Sequence, residues 1–127
     1  MKAAIKPLHW IGSAKDDLKS LPRDVQKNLG LALMYAQLGG KHPKAKPLKG
    51  FGGAGVLEVV ENYDTDTYRA VYTVRFADLV FVLHAFQKKA KHGSATPKAE
   101  IALVERRLRL AEQEYRKWQR ARDRSVQ

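Results

Sequence analysis

The sequence predicts an α+β fold: a small antiparallel sheet with an N-terminal helical hairpin and a C-terminal helix. Three observations predict it. Between Val56 and Phe86, runs rich in β-branched and aromatic residues alternate with polar turn residues. Upstream, Val25, Leu29, Ala32, Leu33 and Ala36 recur at helical spacing. Downstream, Ile101, Val104, Leu108, Ala111, Tyr115 and Trp118 form a second helical stripe. The 127 residues suit one hydrophobic core, so residues 1–120 are expected as a single domain and residues 121–127 as a frayed basic tail.

The elements follow in order. Ala3 to Ile11 reads as a short strand, with Pro7 marking an edge or a bend. Gly12 ends it. Ser13 with Asp16 three residues on resembles a capping box, opening a short helix that stops near Leu21. Pro22 suits the first turn of a second helix, and Gly39-Gly40 closes it. Lys41 to Gly55 is expected as one long loop with four lysines and no acid. A meander follows: Val56 to Glu61, a turn at residues 62–66, Thr67 to Phe76, a turn at Ala77-Asp78, and Leu79 to Phe86. Alternation along the middle strand puts Arg69, Val71, Thr73 and Arg75 on one face, which is either solvated or a platform for phosphates. A second basic loop, Gln87 to Gly93, leads to a helix start at Ser94-Ala95-Thr96-Pro97. Glu105–Arg109 and Glu112–Arg116 are candidate i,i+4 supports for that last helix, expected to end near Arg120.

Composition narrows the chemistry. No cysteine is present, which excludes thiolate metal sites, cysteine nucleophiles and disulfides. Lys and Arg number 24 against 13 Asp and Glu, a formal charge of +11, with a pI near 10.0. Such a charge repels itself in a folded chain. It is either a solubility device or a surface for a polyanion, RNA foremost. No apolar run approaches the roughly 18–20 residues of a membrane span. No secretory leader is evident, so a cytoplasmic protein is expected.

The acids are scattered. Asp16-Asp17 fall on a helix, Glu58 and Glu61 in a strand, and Asp64 and Asp66 in a polar turn that reads better as a turn than as a metal pair. No metal and no cofactor is expected. The glycine-rich stretch Gly50 to Gly55 matches neither a phosphate-binding P-loop nor a dinucleotide fingerprint.

Three segments, Lys-Pro-Leu-Lys-Gly-Phe-Gly-Gly-Ala-Gly from Lys46, Tyr68-Arg69 with its strand, and Leu83-His84-Ala85-Phe86-Gln87-Lys88-Lys89, together resemble the phage-derived HigB-like branch of the RelE/ParE toxin superfamily. The resemblance runs from about Lys6 to Arg109. It implies a RelE-like fold, with a small antiparallel sheet backed by N-terminal helices. It also implies cleavage of mRNA on the ribosome without a metal, and a helix-turn-helix antitoxin as partner. The sequence departs from that family where many relatives carry an arginine soon after the glutamate of the first meander strand. Here Val59 and Val60 follow Glu58, and Arg69 or Arg75 would have to stand in.

RNA cleavage by its own 2′-OH needs a base, an acid and stabilisation of the charged phosphorane. Clustered cations can supply the stabilisation. Mutual repulsion lowers lysine pKa values, which makes a lysine a possible proton carrier. The expected catalytic set is Lys46, Lys49, Arg69, Lys88, Lys89 and His92. Arg69 and Lys88 are assigned to the phosphate, Lys49 or Lys46 to the base, and His92 to the acid. Lys41, Lys44, Arg75 and Lys91 are the expected RNA contacts. His84 alternates with Val82 and Phe86 and reads as a packed structural histidine. The basic C-terminal stretch from Arg106 to Arg124 suits either rRNA or an acidic antitoxin. Two other functions stay open, a ParE-like gyrase inhibitor and a non-catalytic nucleic-acid-binding regulator.

Overall fold

In a computed structural model, which describes residues 4–52, 55–88 and 96–126, the β-rich middle of the chain forms a continuous ladder. The elements are β1 (Leu8–Trp10), α1 (Ala14–Lys19), α2 (Arg23–Gln37), β2 (Ala45–Pro47), β3 (Val56–Tyr63), β4 (Asp66–Thr73), β5 (Val80–Lys88) and α3 (Lys98–Val126). The sheet order is β1-β5-β4-β3-β2, antiparallel except for the parallel β1–β5 pair. The expected α+β arrangement is the observed one.

β1 is only Leu8–Trp10 of the expected strand, and β5 runs on to Lys88 where the sequence reading places a loop from Gln87. Four further boundaries differ from the sequence reading, each for a local reason. The β3–β4 hairpin is longer, and its turn is only Asp64-Thr65, both with positive φ (49° and 68°), between the paired Tyr63 and Asp66. Left-handed values at both central residues match the right-handed twist of the flanking strands. The Lys41–Gly55 loop contains a strand, β2, antiparallel to β3. Pro47 is compatible with it because β2 lies at the sheet edge. β4 ends at Thr73 rather than Phe76, so Arg75 lies beyond the strand. Finally, α3 continues past Arg120 to Val126 in place of a frayed tail. Arg122 supports that extension, with its guanidinium 5.3 Å from the Trp118 ring centre and 3.0 Å from Asp78.

Helix ends follow the chain's small residues. Beyond α2, Gly39 takes φ +86°, and the amides of Gly39 and Gly40 donate to the carbonyls of Ala36 and Tyr35 at 3.0 and 2.8 Å. This is a Schellman closure that a side chain at Gly39 would strain. At α1, Ser13 bonds the carboxylate of Asp17 at 2.6 Å rather than forming the expected box with Asp16. Of the two candidate pairs on α3, Glu112–Arg116 closes at 2.9 Å.

Helices cover both faces of the sheet. On one face, Val25, Leu29, Leu33 and Ala36 of α2, with Ala14 and Leu18 of α1, pack on Leu57, Val59, Tyr72 and Val82. On the other, Val104 and Ala111 of α3, with partly buried Ile101, Leu108 and Tyr115, pack on Val56, Val71, Phe81 and Leu83. A bulge sits opposite Val71 and Tyr72, which pair with His84 and Val82 and leave Leu83 unopposed. Arg107 of α3 donates to the Leu83 carbonyl at 2.9 Å and to the Ser13 hydroxyl at 2.8 Å, tying α3 to the bulge and to the start of α1.

Candidate functional site

Alternation along the central strands places charged side chains on the face covered by α3. In β3, Val56 and Glu58 share that face, and in β4 Arg69 and Val71 share it. Both charged residues are buried, Glu58 at 5% and Arg69 at 2% exposure. Arg69 Nη1 donates to Glu58 Oε2 at 2.9 Å and to the Thr96 hydroxyl at 3.1 Å, and that hydroxyl donates to the same Glu58 oxygen at 3.0 Å. The other Glu58 oxygen faces Lys46 Nζ at 3.9 Å, because Lys46 of β2 is the register partner of Glu58. The Thr96 hydroxyl and the second cation, Lys46, offset part of the cost of burying this ion pair.

Lys88 closes the group from the end of β5. Its pKa lies below the ordinary lysine value. Partial burial is the main cause, and the charges of Arg69 and Lys46 add to it, while Glu58 opposes the shift. Four strands therefore bring Lys46, Glu58, Arg69 and Lys88 within electrostatic reach of one another. Beside them is a hollow of about 230 Å³ lined by Lys46, Pro47, Leu48, Lys49, Glu58, Thr96 and Ile101. Lys46 and Lys49 are exposed at its mouth.

The sequence-predicted residues divide into three groups. Lys46, Arg69 and Lys88 come together around Glu58, and Lys49 lines the hollow with Lys46 and Glu58. Lys44, Lys41 and Arg75 do not. Lys44 Nζ pairs with Glu61 at 3.2 Å, next to Asn28 of α2, towards the α2-covered face. Lys41 is exposed in the connection between α2 and β2. Arg75 is exposed past the end of β4 and donates to the Phe51 carbonyl at 3.3 Å, so Arg69 and Arg75 do not form the shared platform that alternation suggested. Lys89, Lys91 and His92 lie outside the described residues.

Arg69 itself is neither solvated nor an open phosphate platform. α3 covers that face of the sheet, and Glu58 already holds the guanidinium. Glu58 and Thr96 are site members that sequence reasoning missed. A carboxylate between Val56 and Val60 on the buried face of a strand was the available signal for Glu58. Thr96 carried none beyond its place at a helix start.

His84 is packed, as expected: it is buried, stacks on Phe86 at 4.6 Å between ring centres, and bonds Glu100 through Nε2. A larger groove of about 860 Å³ runs past His84 and Phe86 between α1 and α3. Asp17 and Glu100 line it, which disfavours a phosphate there. Among the described residues no three His, Asp or Glu side chains are grouped to hold a metal ion, and no helix is long and apolar enough to cross a membrane.

Residues 16–109, about three quarters of the chain, match the family described as Phage derived protein Gp49-like (DUF891). The chain belongs to this family. All the cationic residues gathered at the hollow fall within the matched Gp49-like region. No curated protein is similar enough in sequence to count as a relative. Among solved structures, the Gp49-like chain is similar to a chain of the toxin–antitoxin complex RelBE2 from Mycobacterium tuberculosis, with 18% identity over 70% of this chain and 98% of that one, and a TM-score of 0.46. It is also similar to a mutant of the E. coli toxin RelE in the free state, with 18% identity over 68% of this chain and 87% of that one, and a TM-score of 0.49.

Proposed function

We propose that this chain is the toxin of a type II toxin–antitoxin pair and cleaves mRNA on the ribosome without a metal, with a helix-turn-helix antitoxin as its partner. The observation that carries the reading is the grouping of Lys46, Arg69 and Lys88 around one buried carboxylate, beside a solvent-open hollow that Lys46 and Lys49 line. Cations preorganised where charge develops stabilise a phosphorane-like transition state by several kcal/mol.

In this mechanism the 2′-oxygen attacks the adjacent phosphorus. The 2′-O–P bond forms and the P–O5′ bond breaks, leaving a 2′,3′-cyclic phosphate and a 5′-hydroxyl. Lys88 stands beside Arg69 and Lys46 at the end of β5, and its pKa lies below the ordinary lysine value, so the proton of the 2′-OH is assigned to it. This differs from the expectation that Lys88 only binds phosphate. Lys46 and Lys49, at the mouth, hold the phosphate oxygens. Arg69, fixed by Glu58 and Thr96, supplies a positive field from below. His92 is assigned the proton for the leaving 5′-oxygen.

The burial of Arg69 favours a second reading, a non-catalytic nucleic-acid-binding protein, because this cation of the group is paired with Glu58 and turned away from solvent. One experiment separates the two. Purified protein is added to a reconstituted translation reaction and mRNA 5′ ends are mapped, with a ribosome-free control. Cuts confined to translated mRNA, and lost in Lys49→Ala and Lys88→Ala, support the toxin. Intact mRNA with a folded sample leaves the binding role.

A further inference from the structure

The outer face of α2 carries an apolar stripe that the fold leaves uncovered. Leu31, Met34, Tyr35 and Leu38 are 43, 52, 40 and 52% exposed. They recur at i, i+3, i+4 and i+7, opposite the face that Val25, Leu29, Ala32 and Ala36 bury. The N-terminal segment lengthens the patch: backbone and side chain of Gln37 hold Lys6 at 2.9 Å, which sets the 65%-exposed Ile5 beside the last turn of α2. The rim is basic. Lys27 lies one turn before Leu31, and Lys41 follows the end of the helix.

Resting on the toxin–antitoxin reading, we propose that this stripe is the docking surface for the antitoxin, and that the docked segment is an amphipathic stretch with apolar anchors at helical spacing and acidic flanks. Charge selects this occupant. A second copy of the chain, with its formal +11, would bring the same lysines face to face across a two-fold axis. An RNA would find four apolar side chains where it needs donors. Size points the same way. The stripe is a patch of a few hundred Å², below the roughly 800 Å² per partner of a stable complex. Contact that extends beyond the stripe along the helix meets Lys27 and Lys41, which carboxylates complement. Such docking follows the helix-in-groove mode, with the basic rim giving register and orientation.

The stripe and the hollow lie on opposite sides of the sheet, since α2 packs on one face and the hollow opens beside α3. A partner seated on α2 therefore leaves Lys46 and Lys49 uncovered.

The test measures binding of the full chain to the purified product of the adjoining reading frame by calorimetry. Leu31→Glu with Met34→Glu should weaken binding about thirtyfold or more, as for loss of an interface anchor. Lys27→Glu should weaken it less, with a reduced dependence on salt, and Lys49→Glu should leave it unchanged. All sites are exposed, so melting temperatures should match wild type. Tight binding by the Leu31/Met34 variant, or loss of binding in Lys49→Glu, overturns the placement. A concentration-dependent homodimer abolished by the same double substitution assigns the stripe to a second copy instead. Failure of the wild-type chain to bind the adjoining product removes the toxin–antitoxin reading, and this proposal with it.

Discussion

Arg69 and Glu58 are joined diagonally: the guanidinium of β4 reaches the β3 carboxylate at 2.9 Å, although Arg69 is the register partner of Val60 and Glu58 that of Val71. The diagonal reach leaves the second Glu58 oxygen to Lys46 and brings Thr96 of the α3 start onto both partners. One buried carboxylate thus binds three strands and a helix start into a single electrostatic unit.

Removing either partner of this pair leaves a buried charge without its counter-ion. Glu58→Gln and Arg69→Met should each lower stability by about 3–5 kcal/mol in urea unfolding, whereas the double substitution should cost less than the sum. Additive losses would mean that the pair contributes no coupling.

The lowered pKa of Lys88 has a definite sign. In the interval between its folded value and the free lysine value, the folded protein binds fewer protons than the unfolded chain, so this group makes stability rise with pH. NMR titration of labelled lysine side chains should place Lys88 below free lysine. Lys46→Gln, which removes a neighbouring charge, should move it up, and Glu58→Gln should move it further down. A Lys88 titration insensitive to both substitutions would separate it from the cluster.

The β3–β4 turn stores backbone strain, because Thr65 is β-branched and holds φ 68°. Replacing Asp64-Thr65 by Asn-Gly should raise stability by about 1 kcal/mol in thermal or urea unfolding without altering RNA chemistry. Destabilisation would show that the turn side chains make contacts worth more than the strain.

Periodicity made the helices and the meander legible, because burial of one face writes a pattern of 3.6 or 2 into the chain. The α2 and α3 stripes, the β5 run and the structural role of His84 could be read in this way. β2 could not, since three residues bracketed by lysines and prolines carry no period. The site was half legible. Lys46, Lys49 and Lys88 stood out as loop or strand-end cations. Whether Arg69 faced solvent depended on where α3 packs, and one strand's alternation does not contain that information. Arg75 failed as a partner of Arg69 because β4 ends at Thr73. Lys44 failed because Glu61 draws it towards α2.

The most direct test of the central claim is the chemistry of the RNA ends produced on the ribosome. Attack by the 2′-OH gives a 2′,3′-cyclic phosphate and a 5′-hydroxyl, and a single 2′-deoxy substitution at the scissile nucleotide abolishes cutting there. Products carrying a 5′-phosphate and a 3′-hydroxyl, or cleavage that survives the 2′-deoxy substitution, would contradict a lysine-based, metal-independent mechanism at this hollow.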